Sequence, residues 1–253
     1  MILDLVSIIT PCYNGARYIG ETIDSVLAQT HTNWEMIIVD DGSKDDSAQI
    51  IKEYVEKDPR IKFIQQKNAG SAAARNNGIR NASGQYIALL DADDIWLPDF
   101  LKKQIKYMKD NDGICVAGSY GLIDEHSKDI LSPVQVKEII TIKDMRVRGQ
   151  VGCLTGLYDC SKYGKIYLKE ELRSLRDDYA YWYDIVSLEG VIYGNPEILA
   201  KYRVLSNSTT GNKIKLIKPQ YKFYRNYLKE GRIEAFINLI RWGSVGIKRF
   251  FKI

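Results

Sequence analysis

Histidine is nearly missing from this chain of 253 residues, which has only His31 and His126. No histidine triad is expected, and no cysteine nucleophile competes with acidic residues for the chemistry. The four cysteines, Cys12, Cys115, Cys153 and Cys160, include no Cys-x-x-Cys pair, so neither a zinc site nor a disulfide framework is expected. A surplus of one charge is missing too. Thirty-six basic residues face 32 acidic ones for a net charge of +4, which argues against a nucleic-acid partner and makes any basic surface local. No apolar stretch is long enough to span a bilayer. The amino terminus runs into Val6-Ser7-Ile8-Ile9-Thr10 without a basic segment and long apolar core, so a cytosolic, reducing location is expected. Neither Gly-x-Gly-x-x-Gly at the first strand-to-helix turn nor Gly-x-x-x-x-Gly-Lys-Ser/Thr anywhere is found, which removes dinucleotide dehydrogenases and P-loop enzymes.

What is present is an abrupt change of polarity. The apolar run Tyr86-Ile87-Ala88-Leu89-Leu90, entered through Ser83-Gly84, turns directly into Asp91-Ala92-Asp93-Asp94. Such a run reads as a buried central strand whose carboxyl end opens on a cleft. Carboxylates crowded together raise one another's cost of ionisation, so the cluster calls for positive charge. A divalent cation shared with a diphosphate meets that need with oxygen ligands, of the kind Mg²⁺ or Mn²⁺ prefers. The alternative is a solvated acidic turn capping the helix that begins near Phe100.

The preceding ninety residues frame this turn. Strands are expected over 5–10, ended by Pro11, then over 34–39, 61–64 and 86–90, with helices over 16–30, 45–57 and 71–78 between them. The helix at 71–78 is rich in small residues and can lie close to a sheet. Regular alternation implies right-handed crossovers and a parallel, doubly wound sheet, with ligands bound beyond the carboxyl ends of the strands. The loops at 11–15, 40–43, 68–70 and 91–94 converge there. With 45% hydrophobic residues, the chain suffices for one large α/β domain or one with a small extension.

Val6-Ser7-Ile8-Ile9-Thr10-Pro11-Cys12-Tyr13-Asn14-Gly15, Ile38-Val39-Asp40-Asp41-Gly42-Ser43, Asn68-Ala69-Gly70 with Ala73-Ala74-Arg75-Asn76-Asn77-Gly78, and Leu90-Asp91-Ala92-Asp93-Asp94 resemble, in order, the motifs of the family 2 inverting glycosyltransferases of bacterial surface-polysaccharide type. The resemblance implies a GT-A fold, a Rossmann-like, mostly parallel central sheet flanked by helices. It also implies a nucleotide-diphosphate sugar donor, a UDP-sugar in most members, held through Mn²⁺ or Mg²⁺. By position, Pro11, Tyr13, Asn14 and Asp41 would line the uridine pocket with Asn68, Gly70 and Arg75 nearby. Asp91 would stand at the ribose or sugar and assist Asp93 at the metal.

In the second half, 100–108 reads as an amphipathic helix and 114–120 as a strand, while 124–145 is polar and irregular and is expected to be an insertion or mobile lid. The glycine-rich segment at 149–158 falls where this family presents the acceptor, although its glycines can equally serve a bent strand. Asp177-Asp178 open a helix, a position that favours acids in any protein. The resemblance gives them a sharper role, with Asp178 as the base that takes the acceptor proton and Asp177, where glutamate is common, as its support. Residues 199–204 and 206–213 resemble a segment closing over the diphosphate, with Arg203 or Lys213 pairing with phosphates.

From Gln220 the chain alternates aromatic and basic residues. On a helix, Phe236, Ile240, Gly243, Ile247 and Phe250 share a face and Arg241, Lys248 and Lys252 cluster on another, a pattern suited to an anionic bilayer interface or to packing on the domain or a homodimer partner. The division expected is a glycosyltransferase domain over 1–215, in halves 1–100 and 101–215, and a helical extension over 216–253. The function expected is transfer of a UDP-hexose or UDP-N-acetylhexosamine sugar to a saccharide carried on polyprenyl diphosphate, at the cytoplasmic face of the membrane. The rivals are a sugar nucleotidyltransferase and a non-catalytic nucleotide-sugar-binding protein. The first should carry a glycine-rich, basic phosphate loop where this chain has Pro11-Cys12-Tyr13-Asn14; the second would not need Asp93 and Asp178.

Overall fold

The computed structural model describes residues 1–147, 151–172, 176–205 and 213–250, with the backbone alone at 213–215 and 245–250. The first half alternates as the polarity pattern dictates: β1 (Ile2–Cys12), α1 (Ile19–Leu27), β2 (Trp34–Asp40), α2 (Ser47–Lys57), β3 (Ile61–Gln65), α3 (Ser71–Asn81) and β4 (Gly84–Leu89). Strands buried on both faces read as unbroken apolar runs because successive residues feed opposite cores. Ile8, Met36 and Ile38 pack with α1 and α2 on one side of the sheet, whereas Ile9, Ile37 and Val39 pack against α3 on the other. Gly78 is what lets α3 approach. A Cβ there would lie 2.5 Å from Ile9 Cγ2 and 3.4 Å from Val39 Cγ2, too close for any residue but glycine without movement of the sheet.

The chain continues through β5 (Ile95–Trp96), α4 (Phe100–Asp110), β6 (Cys115–Ile123), β7 (Asp129–Val134), β8 (Ile139–Thr141), α5 (Ile142–Val147), β9 (Leu157–Asp159), α6 (Asp177–Glu189), β10 (Val191–Arg203), α7 (Lys213–Lys222) and α8 (Arg232–Phe250). Among the described residues the strands form one sheet of order β3-β2-β1-β4-β9-β6-β10-β5, with β7 on β6 and β8 on β10. The β3-β2-β1-β4 block is parallel throughout. β9 runs antiparallel between β4 and β6, and β10 runs parallel to β6. The sheet is therefore mixed and mostly parallel, with its parallel block carrying the loops of interest at one edge.

Three expectations need correction. Pro11 does not end the first strand, which runs on to Cys12: proline removes one donor, yet Pro11 still pairs with Val39 and Cys12 O still accepts the Asp41 N–H at 2.8 Å. Residues 124–145 are not an irregular lid but contain β7, β8 and the start of α5, with Ile140 and Met145 fully buried. β7 is an exposed strand on the outside of β6 and β8 is three residues long, so neither carries an apolar run. Residues 199–203 are not a closing flap: they complete β10, paired with Tyr120–Ile123 of β6 and with β5. Residues 206–212 lie outside the described residues.

Candidate active site

The loop after β1 is built as a cradle. Asn14 takes a left-handed φ of 51°, its N–H donates to Ser43 Oγ at 2.9 Å and its side-chain oxygen accepts the Lys44 N–H at 2.8 Å. Gly15 donates to Ser47 Oγ at 2.8 Å, which fastens the loops after β1 and β2 together. Pro11 forms the end of the strand beneath, and Tyr13 projects with 51% of its surface exposed, an aromatic face free to stack on a base. Asp41, expected to line the pocket directly, is 3% exposed. Its carboxylate accepts the Ala69 and Gly70 N–H groups, both at 2.8 Å, and the Gln66 side-chain amide at 2.8 Å. Asp41 therefore shapes the wall rather than offering a free acceptor. Asn68 adds a bond to the Asp41 carbonyl at 2.9 Å, and Gly70, at φ 94°, makes the bend that starts α3.

Arg75 is the hinge of the site. It sits on the inner face of α3, 6% exposed, and its guanidinium reaches Asp91 Oδ1 at 2.5 Å and Asp177 Oδ2 at 3.4 Å. One cation thus joins the acidic turn after β4 to the acidic pair opening α6, although Arg75 itself lies 102 positions before Asp177 in the chain. Within the pair the roles divide by burial. Asp177 is 2% exposed and held by Arg75; burial pushes its carboxyl up, an effect Arg75 opposes. Asp178 is only half-buried and its carboxylate makes a local hydrogen bond, accepting the Tyr179 N–H at 2.8 Å. That leaves an Asp178 carboxylate oxygen for an incoming hydroxyl.

The turn at 91–94 is electrostatically unfinished. Burial, then the neighbouring Asp91, pushes the Asp93 carboxyl up to about 6. Asp94 is driven up by burial and by both neighbouring acids, and its Oδ2 is buried without a hydrogen-bond partner. Among the described residues no group of three or more His, Cys, Asp or Glu side chains is placed to hold a metal ion. The donor set instead suits a hard divalent cation held by one or two carboxylates, with its remaining positions left to a diphosphate and water. Asp93 fits that group by ligand chemistry and by its need for positive charge, and Asp91, paired with Arg75, adds a second carboxylate of suitable chemistry.

Arg203 does not stand where a phosphate partner was expected. Its side chain is 1% exposed and every nitrogen is engaged: Nε with Asp93 O at 2.8 Å, Nη1 with Asp124 O at 3.1 Å and Ser127 Oγ at 2.9 Å, and Nη2 with Glu21 Oε2 at 2.5 Å. Its backbone N–H donates to Asp94 Oδ1 at 2.9 Å, and its guanidinium lies 4.5 Å from the Tyr18 ring centroid. A buried guanidinium must satisfy its donors, and this one does so by clamping the acidic turn from behind. Glu21, Tyr18 and Ser127 belong to that clamp and were not singled out from the sequence; Glu21 reads there as an ordinary acidic first turn. Lys213, the other expected phosphate partner, has its side chain outside the described residues. The glycine-rich segment is partly outside them as well. From Cys153 it forms a 3₁₀ turn pinned by Trp96 Nε1 to Leu154 O at 2.7 Å and Gln104 Nε2 to Thr155 O at 2.8 Å.

A family model described as glycosyl transferase family 2 matches residues 7–175. The putative teichuronic acid biosynthesis glycosyltransferase TuaG of Bacillus subtilis is 35% identical over 246 residues, 97% of this chain and 97% of that protein. The UDP-Glc:alpha-D-GlcNAc-diphosphoundecaprenol beta-1,3-glucosyltransferase WfgD of Escherichia coli is 33% identical over 250 residues, 97% of this chain and 94% of that one. Among solved structures, S. aureus TarS 1-349 in complex with UDP superposes with a TM-score of 0.65 at 19% identity, covering 94% of this chain and 70% of that one. Mannosyltransferase PcManGT from Pyrobaculum calidifontis, in complex with GDP-Man and Mn²⁺, gives 0.68 at 17%, covering 96% and 73%. The structural likeness establishes the GT-A fold.

Proposed function

Because the chain belongs to glycosyl transferase family 2, we propose that it moves a hexose or N-acetylhexosamine, with inversion, from a UDP donor to a saccharide borne on a polyprenyl diphosphate, in surface-polysaccharide assembly. The observation that carries this reading is the Arg75 bridge, which puts the acidic turn and the acidic pair in one site. Inversion requires a base on the sugar face opposite the leaving group, and a hydroxyl attacks poorly unless its proton leaves as the bond forms. Asp178 is the base. Asp177 and Arg75 set its position, since Asp177 is adjacent in the chain and anchored in the interior.

Tyr13 stacks on the uracil, Asn14 and Asn68 complete its surroundings with Pro11 and Gly70, and the Asp41-ordered loop gives the pocket its wall. Asp93, with Asp91, would hold Mn²⁺ or Mg²⁺, which when bound would offset charge developing on the departing diphosphate. Arg203 keeps the Asp93 backbone in place. The lipid-borne acceptor is supported by WfgD, whose name gives it a diphosphoundecaprenol acceptor. Among the described residues no helix is long and apolar enough to cross a membrane, so a lipid acceptor would be met at the bilayer surface, the cytoplasmic one in this reading.

A panel of UDP-sugars incubated with manganese or magnesium and a saccharide borne on a polyprenyl diphosphate tests the reading. UDP released from one of them, with the product of the opposite anomeric configuration by NMR, is expected. Pyrophosphate released from UTP would instead indicate a nucleotidyltransferase, and no release from any nucleotide would indicate a binding protein.

A further inference from the structure

Helix α8 packs on the domain with the wrong face for a purely structural helix. Ala235 and Asn238 point inward, 0% and 5% exposed, and Asn238 donates to Glu230 at 3.1 Å. The opposite face carries Ile233, Phe236, Ile237 and Ile240, exposed by 79%, 58%, 43% and 57%. These four sit at the i, i+3, i+4, i+7 spacing of one continuous stripe. Beside the stripe, between α5 and α8, runs a groove of about 900 Å³ to which Lys143, Arg146, Arg232 and Arg241 contribute, with Glu234 the one acid among its described lining residues. Arg146 is shared with Glu230 at 3.8 Å and Glu234 at 3.7 Å. Among the described residues Lys143, Arg232 and Arg241 show no ion pair, leaving the groove a net cation next to exposed apolar surface.

We propose that the α5–α8 groove binds the phosphate headgroups of an anionic lipid bilayer while the Ile233–Ile240 stripe enters the headgroup–acyl boundary. Charge complementarity selects this occupant. An apolar protein partner would match the stripe but leave three cations facing it, whereas an anionic leaflet matches both features at once. Position favours it as well. Trp242, on the same helix, lies 5.3 Å from the Arg176 guanidinium, and Arg176 immediately precedes Asp177 and Asp178. Trp242 is on the inward side of α8 with Ala235, so a bilayer held at the outer stripe lies one helix diameter, roughly 10 Å, from the start of α6. The inference deepens the lipid-acceptor reading and rests on it for its purpose, though not for its test.

The full chain is sedimented with vesicles of equal parts phosphatidylglycerol and phosphatidylcholine, and with phosphatidylcholine alone. Binding to the first and at least tenfold weaker binding to the second is expected. Each cation contributes about fivefold near an anionic surface, so Lys143→Glu/Arg232→Glu/Arg241→Glu is expected to reduce binding by at least a hundredfold. Phe236→Ser/Ile240→Ser should weaken it at least tenfold, with the far-ultraviolet dichroism of both variants unchanged. Millimolar inorganic phosphate should not displace the parent; displacement would mean an ion site and would overturn the proposal. So would equal binding to both vesicle types, or a stripe variant that alters oligomeric state while leaving vesicle binding intact. Metal-dependent UDP release in the presence of a saccharide borne on a polyprenyl diphosphate is read in parallel: its absence in the parent for every UDP-sugar, with vesicle binding present, would remove the proposed transfer reaction and leave the membrane inference standing.

Discussion

The two acidic regions of this molecule are alike in composition and opposite in physical state. Asp91, Asp93 and Asp94 are packed at the end of a buried strand, where burial and then Asp91 push Asp93 up, and burial, Asp93 and Asp91 push Asp94 up. Asp177 and Asp178 open a helix, where one is buried against Arg75 and the other is only half-buried. The contrast shows that a cluster of carboxylates can be arranged to demand a cation or to leave one carboxylate accessible, the one proposed as the base. The arrangement depends on how far a single arginine's charge is shared.

Breaking the base is expected to give the largest effect. Asp178→Asn should lower turnover by about 10²–10⁴, the range one positioned carboxylate supplies, while UDP affinity stays at the parent value. Turnover measured by UDP release beside a UDP binding titration checks both halves. Next comes the shared cation. Arg75→Met strands a buried Asp177 and a crowded Asp91, and should cost about 3–5 kcal/mol in a urea melt. Arg75→Met/Asp177→Asn should recover part of that loss, since the stranded charge is then gone.

The acidic turn gives a third expectation with a definite sign. The folded-state carboxyl of Asp93 is raised to about 6 from 3.8, so its contribution to stability is full below the unfolded value and is lost as pH rises through about 6. In metal-free protein at neutral pH, Asp93→Asn should therefore stabilise the fold, by at most about 3 kcal/mol at 1.36 kcal/mol per unit. It should also abolish the response of UDP affinity to manganese. The parent's manganese-dependent affinity should fall as pH drops below about 6, because the carboxyl must ionise to bind metal. A parent melting temperature higher at pH 7 than at pH 5 in Asp93→Asn-sensitive fashion would contradict this. The smallest effect expected is Tyr13→Ala, which removes one stacked ring and should weaken UDP binding by about 1–3 kcal/mol without touching metal dependence.

Much of the first region was legible in the sequence, since its information is local. An apolar run buried on both faces and ending in Asp91 needs only neighbouring residues to be recognised, and the same holds for β2 running into Asp40. The pair at Asp177 and Asp178 was legible as a helix start. What joins the two regions was not. The sequence places Arg75 only near the uridine pocket, and its bridging role appears when the fold brings Asp177 to it from 102 positions away. Arg203 illustrates the same limit more sharply: its role is set by Glu21, 182 positions distant, and by Asp124 and Ser127 in a stretch whose exposed strand conceals its order. The stripe on α8 was visible as periodicity, yet only packing decides which face Ala235 turns inward.

Calorimetric titration of UDP in the presence and absence of manganese, on the parent, Asp93→Asn and Asp178→Asn side by side, tests the division of labour most directly. The expected result is manganese-enhanced binding in the parent and in Asp178→Asn, and none in Asp93→Asn. Equal UDP affinity with and without manganese in the parent would contradict it.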